Sequence, residues 1–280
     1  MIKDILLALT SFPVATQAQT IETAVALAEN LKAKVSAIAF EMDIQSPVGL
    51  YADPIGVGGI LAADSKKSAT NAGDLLSSFE RIAIERNLEH DQNLIRAKPI
   101  DIPGRVAEEA KFCDLTIFPL KESDVPGRAI AEHLIFDSGR PVLILPDDAK
   151  RQIPHSFDSI AVAWDFSRAA TRAVADALPL LERGKAIRIF TVTGEKVFKK
   201  SGSATALVGH LRGHGIEAIV DDVKSNGRAI GNAFKDYVEE HKVDLLVMGA
   251  YGHSKVREFI LGGATVSILL HPPTWVLMSH

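Results

Sequence analysis

Two periods of apolar residues alternate along this chain. Short runs such as Ile5-Leu-Leu-Ala-Leu9, Leu115-Thr-Ile-Phe118 and Leu245-Leu-Val-Met248 are largely apolar on both faces, the pattern of strands covered by helices on either side. Between the runs, apolar residues return every three or four positions. Ile21, Ala24, Val25, Ala28 and Leu31 form one such stripe across 20–31. Leu75, Leu76, Phe79, Ile82 and Ala83 form another, on a helix that Asp64 or Ser65 can cap. The same spacing predicts helices over 167–181, 203–211 and 229–240. Strands alternating with helices predict an α/β fold built on a mainly parallel sheet.

The order of elements repeats. The opening strand Ile2-Lys-Asp4-Ile-Leu-Leu-Ala-Leu9 has a counterpart in Phe157-Asp158-Ser-Ile-Ala-Val-Ala-Trp164, offset by about 154 residues. Segment 33–40 answers to 185–192, segment 140–146 to 272–278, and 113–118 to 243–248, by which point the offset has fallen to 130. Each copy reads βαβαβαβαβ, too large a unit for a solenoid repeat. The prediction is two tandem doubly wound, Rossmann-like domains over 1–146 and 157–280, each a mainly parallel five-stranded sheet with helices on both faces. The change in offset places about 24 extra residues in the first copy. They include the Gly- and Pro-rich stretch 45–59, read as a long loop over 41–64: a lid, a partner-binding loop or an inert insertion. Its Gly56-Val-Gly-Gly59 is not G-x-G-x-x-G and has no dinucleotide role. The polar segment between Pro146 and Pro154 reads as a linker. Each copy ends in an apolar strand, 141–145 and 274–278, which would be a hazardous sheet edge if left bare.

Composition narrows the function classes. With 47% hydrophobic and 24% charged residues the chain is globular and not disordered. A net charge of −4 gives no basic field for nucleic acid, and no apolar run approaches the roughly 18 residues of a membrane span. The N-terminus alternates into a strand and lacks the layout of a secretory signal. The single cysteine, Cys113, excludes an intrachain disulfide and a cysteine metal cage, and reads as a small core residue. A cytoplasmic location is the expectation.

Candidate chemistry gathers in the second copy. Asp244-Leu-Leu-Val-Met-Gly249-Ala-Tyr-Gly252 is followed, nine residues later, by Gly262-Gly263-Ala-Thr265. An apolar run entering a glycine loop that opens a helix can cradle phosphate on backbone N–H groups; the bland alternative is a flexible turn. Upstream, the strand Ile160-Ala-Val-Ala-Trp164 ends at Asp165, and ligands of open α/β sheets sit beyond the carboxyl ends of strands. Asp165 can accept a hydrogen bond from an adenine amino group or a ribose hydroxyl; equally, Asp165 or Ser167 can cap the next helix. His253, Lys255 and Arg257 lie inside the loop, as phosphate-neutralising groups or as solvated charges. His210 and His214 are spaced i,i+4 without a third metal ligand and read as a surface pair. No Walker A, G-x-S-x-G or H-E-x-x-H is present, nor a nucleophile with a base, so no catalytic residue is assigned.

The G-x-x-G-x9-G spacing of Gly249, Gly252 and Gly262 resembles the ATP-binding signature of universal stress proteins, and the resemblance, to the tandem type, covers nearly the whole chain. The first copy matches by element order and by Gly139-Arg-Pro-Val-Leu-Ile-Leu-Pro146. The resemblance implies that Asp165 contacts adenine, that Val192 packs on the base, and that Thr265 offers a hydroxyl to phosphate. Where the family places Ser or Thr after the third glycine, this chain has Gly263. One neutral hydrogen bond of about 1 kcal/mol is therefore missing, which should weaken ATP binding or shift nucleotide preference. The implied protein is a cytoplasmic stress-response module binding ATP, or ADP or AMP in its place, with Mg2+ as companion ion. Rival readings are a slow ATPase in the same pocket and a chaperone-like or protein-interaction module with a vestigial pocket. Family members pair their final strands antiparallel, so two copies on one chain can form an internal pseudo-dimer; a further homodimer would use another surface, and a protein partner is unspecified. The first copy lacks the glycine run: it reads Pro119-Leu-Lys-Glu-Ser-Asp-Val-Pro-Gly127, with Thr10 or Ser11 at the Asp165 position. Pro119 cannot donate an N–H, and Glu122 and Asp124 would repel phosphate. That copy reads as structural or regulatory.

Overall fold

A computed structural model of the chain describes residues 1–44, 57–148, 153–193, 204–250 and 263–280. In the first half the order is β1 (Asp4–Leu9), α1 (Ala18–Leu31), β2 (Lys34–Met42), α2 (Val57–Glu85), β3 (His90–Ala97), α3 (Ile102–Ala110), β4 (Leu115–Leu120), α4 (Val125–Asp137) and β5 (Val142–Pro146). The second half repeats it as β6 (Ser159–Ala163), α5 (Arg168–Leu181), β7 (Ala186–Thr193), α6 (Ala204–Gly213), β8 (Ala218–Lys224), α7 (Ile230–Glu240), β9 (Leu245–Gly249), α8 (Gly263–Leu270) and β10 (Trp275–Ser279).

All ten strands join one sheet in the order β3-β2-β1-β4-β5-β10-β9-β6-β7-β8. Within each half every pairing is parallel. The halves meet where β5 and β10 run antiparallel, Val142 opposite Met278 and Ile144 opposite Val276. The two apolar final strands thus cover each other's edges at the centre of the sheet. Trp275 is fully buried there; its indole N–H donates to the Pro154 carbonyl at 2.7 Å and its ring meets Phe157 edge-on at 5.7 Å. The outer places fall to β3 and β8, largely exposed strands that carry Asp91, Gln92, Asn93 and Arg96, and Asp221, Asp222 and Lys224, beside the exposed Leu94, Ile219 and Val220; the charged residues blunt a bare edge.

Strand alternation divides the core into two layers. Ile5, Leu7 and Leu9 point to the face covered by α1, α2, α5 and α6. Leu6 and Ala8 point to the face covered by α3, α4, α7 and α8. Every strand is therefore apolar on both sides where it lies inside the sheet, as its sequence predicts.

Two expectations need correction. The stretch 41–64 is not all loop: β2 runs to Met42 and α2 begins at Val57, taking Gly58 and Gly59 into its first turn. At 29 residues against 10 for α6, α2 absorbs most of the extra length of the first half. Ala, Leu and Lys along 61–67 favour helix, and each early glycine costs only about 1 kcal/mol. Residues 45–56 lie outside the described ones. Nor is the segment after Pro146 a plain polar linker, since Asp147 is buried and Ile153 packs on the core.

Candidate functional site

β6 and β9 are parallel neighbours, yet the chain leaves β6 into α5 on one face and enters α8 after β9 on the other. This is the switch point of the second half, where an open α/β sheet leaves a crevice beyond its carboxyl ends. Gly249 ends β9 at that crevice. A Cβ on it would lie 2.3 Å from the Ala170 nitrogen and 2.5 Å from the Ala169 carbonyl carbon, both backbone atoms. Its missing side chain therefore lets the end of β9 touch the first turn of α5, a packing role that the sequence reading did not give it.

On that turn, Ser167 is the N-cap of α5, its Oγ accepting from the Ala170 N–H at 3.0 Å. Asp165 Oδ1 accepts from the Ser167 N–H at 3.0 Å. Phe166 between them has φ 61, a left-handed residue that turns the chain from strand to helix. Both readings of this turn are thus realised locally: Ser167 caps, and Asp165 braces the cap while standing half-buried at the rim. On the adjoining strand the Trp164 N–H donates to the Phe190 carbonyl at 2.8 Å, and Thr191 Oγ1 donates to the Trp164 carbonyl at 2.9 Å. That register sets Val192 beside Asp165 on the same rim, packed on the core of the α7 and α8 face.

Gly263 and Thr265 occupy the first turn of α8. Thr265 is buried. Gly263 is exposed, its φ is not left-handed, and a Cβ there would meet nothing within 4 Å. Of the expected site residues, then, Asp165, Val192 and Gly249 come together at one rim and Gly263 and Thr265 open the helix that follows. Gly252, His253 and Gly262 lie outside the described residues, as do Lys255 and Arg257.

Three further groups escaped the sequence reading. Among the described residues six buried side-chain polar atoms lack a hydrogen-bond partner; Asp4 Oδ1, Thr116 Oγ1 and Arg128 Nε lie in the first half, and Trp164 Nε1, Ser225 Oγ and Ser279 Oγ in the second. The last three stand at the carboxyl ends of β6, β8 and β10, and Ser279 lies directly opposite Gly249. A buried polar group left unpaired costs about 1–3 kcal/mol. The available signal was a polar residue closing an otherwise apolar strand, as in Trp275-Val-Leu-Met-Ser279.

The corresponding rim of the first half is filled by its own side chains. Ser11, at the Asp165 position, donates to the Phe40 carbonyl at 2.6 Å and lies 3.0 Å from Ser68 Oγ of α2. Ser68 Oγ also accepts the Met42 N–H, and Asn71 Nδ2 donates to the Ser11 carbonyl. Farther along, Lys121 Nζ donates to the Ala15 carbonyl at 2.6 Å and pairs with Asp147 Oδ2 at 2.9 Å. The Asp147 side chain, only 2% exposed, also accepts from the Thr20 hydroxyl at 2.5 Å and the Gln17 N–H at 3.2 Å.

Other candidates resolve simply. Cys113 is buried, and burial first, then the charges of Asp4, Asp114 and Glu109, push its thiol up to about 11. The rings of His210 and His214 meet edge-on at 5.0 Å, and among the described residues no group of three His, Cys, Asp or Glu could hold a metal ion. No described helix is long and apolar enough to cross a membrane.

Comparisons with known proteins bear on the same half. Residues 156–280 match the model of the universal stress protein family. A universal stress protein of Synechocystis sp. is 38% identical over 77 residues, which are 28% of this chain and 21% of that protein's length. A crystal structure of a universal stress protein from Archaeoglobus fulgidus superposes with a TM-score of 0.69 at 17% identity, over 98% of this chain and 95% of that one. A putative universal stress protein from Pseudomonas aeruginosa does so with 0.58 at 12% identity, over 99% and 93%. At such identities the two superpositions speak for the fold alone.

Proposed function

We propose, on the premise that this chain belongs to the universal stress protein family through residues 156–280, that it binds one adenine nucleotide in its second half. On this reading it is a nucleotide-dependent sensor or binding module of the stress response. The nucleotide is ATP, or ADP or AMP in its place. Asp165 and Val192 would hold the base and ribose at the rim of β6 and β7. The loop from Gly249 through Gly252, His253 and Gly262 to Gly263 and Thr265 would receive the phosphates. There the backbone N–H groups and the start of α8 would supply partial positive charge. Mg2+ would ride on the phosphates and water, as it commonly does where protein ligands are few.

One observation carries this reading: the contrast between the two rims. In the first half Ser11, Ser68, Lys121 and Asp147 are all partnered at the carboxyl rim, and Arg128, whose Nε makes no hydrogen bond, pairs there with Glu132 at 3.3 Å. In the second, an indole N–H and two hydroxyls are left without partners at the carboxyl ends of β6, β8 and β10. A polar ligand that offers donors and acceptors there would offset the cost of burying them.

Mass spectrometry of ligand released from the denatured protein identifies the occupant, and calorimetry on stripped protein counts it. One ATP per chain is expected, with binding lost in Gly252→Leu because a side chain would take the space of the phosphate. ADP or AMP released from protein that was loaded with ATP would point to hydrolysis in the same pocket. A stoichiometry near two, or no ATP binding at all, overturns the proposal.

A further inference from the structure

The glycine-poor loop of the first half does not lie idle. Residues 121–124 reach across the seam between the halves and end on α8. The Ser123 N–H donates to the Leu270 carbonyl at 2.8 Å. Beside it, Glu122 Oε1 meets His271 Nδ1 at 2.5 Å. Leu270 is the last residue of α8, and the carbonyls of a final helical turn have no partner within their own helix. Here one of them is satisfied by a backbone donor from the other repeat.

Several features fix that donor in place. Ser123 is left-handed, with φ 59, a conformation that costs a non-glycine residue energy and persists only where its surroundings impose it. On one side stands Lys121, whose ammonium is tied to the carbonyls of Val14 and Ala15 and to the buried Asp147. On the other is Asp124, the N-cap of α4, accepting the Gly127 N–H at 2.9 Å. Glu122 and Asp124, which the sequence marks as hostile to phosphate, thus have structural work of a different kind.

α8 has little freedom to absorb a displacement. It is eight residues long, and Ile268 and Leu269 are buried beneath it. Its flank presses on α7 where a Cβ on Gly231 would lie within 2.3 Å of the Ser267 side chain. A shift imposed at Leu270 would therefore be passed to Thr265 and Gly263, about one and a half and two turns away on a packed, short helix.

We propose that loop 121–124 of the first half is a positioning clamp on α8: it holds the C-terminal end of that helix and so sets the junction at Gly263 from which the glycine loop departs. The significance of that junction for ligand rests on the nucleotide reading above, whereas the clamp itself does not. Ser123, through its N–H, is the positioning residue, with Glu122 and Lys121 as its supports.

Hydrogen–deuterium exchange on the full chain without nucleotide tests the clamp, and ATP calorimetry on the same variants tests its consequence. Ser123→Pro removes the donor and forbids the left-handed φ. Amides of 266–270 should then exchange about fivefold faster, what one net hydrogen bond is worth, while those of α5 and α7 hold their rates. ATP affinity should fall by a similar factor. Lys121→Met, which frees the loop without touching its backbone, should give the same pattern more weakly, and it stands in if Ser123→Pro does not fold. Unchanged exchange in α8 overturns the clamp. Faster exchange with unchanged ATP affinity overturns its link to the site. Faster exchange in a protein that binds no ATP in any form supports the clamp and removes the nucleotide reading instead.

Discussion

Glycine-rich sequence hides three different physical roles, and single residues show it best. Gly249 is required by packing: its Cβ would strike the backbone of Ala169 and Ala170. Gly249→Ala should therefore destabilise the protein by about 1–3 kcal/mol, read as a lowered urea midpoint, whether or not nucleotide is present. Gly263 has open space and an ordinary φ, so nothing in the fold demands a glycine there. Gly263→Ser is expected to raise ATP affinity several-fold in calorimetry, by adding a hydroxyl at the start of α8; a fall would show that this hydroxyl does not meet phosphate. Gly252, the third case, rests on spacing alone. Cys113 offers an independent check on the first half. With its thiol pushed up to about 11 by burial, it holds almost no thiolate at pH 8. Ellman's reagent should modify it only as the protein unfolds, and fast labelling of the native chain would contradict that burial.

At the level of elements, helix ends decide what each loop can do. Ser167→Ala should cost about 1 kcal/mol through loss of the α5 cap, measured by thermal or urea unfolding. It should also loosen Asp165, whose carboxylate takes the N–H of the same serine. Asp147 is the stronger test of the first half, because it gathers Lys121, Thr20 and Gln17 in a nearly buried cluster. Asp147→Ala leaves the Lys121 ammonium without its partner and should cost about 3 kcal/mol, the low end for a buried pair since Lys121 is partly exposed. The helices themselves were legible where an apolar stripe ran their length. α5 begins one residue after its predicted cap, and α7 within a residue of its predicted start. The start of α2 was not, because none of residues 58–67, the described side chains of its first turns, is buried, so they leave no periodic mark.

For the whole molecule, antiparallel pairing of β5 with β10 has a consequence beyond covering two edges. It turns the carboxyl ends of the two half-sheets toward opposite rims, so the filled rim and the unsatisfied one cannot share a ligand. The pairing is open to direct test. Val142→Cys with Met278→Cys, in a Cys113→Ala background, should form a disulfide within one chain, and the protein should run as a monomer on a non-reducing gel. Bridges found only between chains would mean that the seam forms by exchange between molecules, and the internal pseudo-dimer would have to be abandoned.

Sequence by itself determined the repeat, the class of fold and most of the core, because burial on both faces of a strand and on one stripe of a helix leaves periodic apolar marks that need no partner to be read. It also marked Asp165, Gly249 and the final strands, since strand ends and glycines are local signals. What only the tertiary structure decided depends on residues far apart in the chain. Gly249 has its meaning from Ala169 and Ala170, and Ser11 from Ser68 and Asn71. Trp164, Ser225 and Ser279 stand out because of what fails to reach them. Loop 121–124 reads as a damaged phosphate loop until the second half folds against it. Then Ser123 and Glu122 are found on Leu270 and His271, almost 150 residues downstream, a distance over which local pattern carries no information and only packing can bring the groups together.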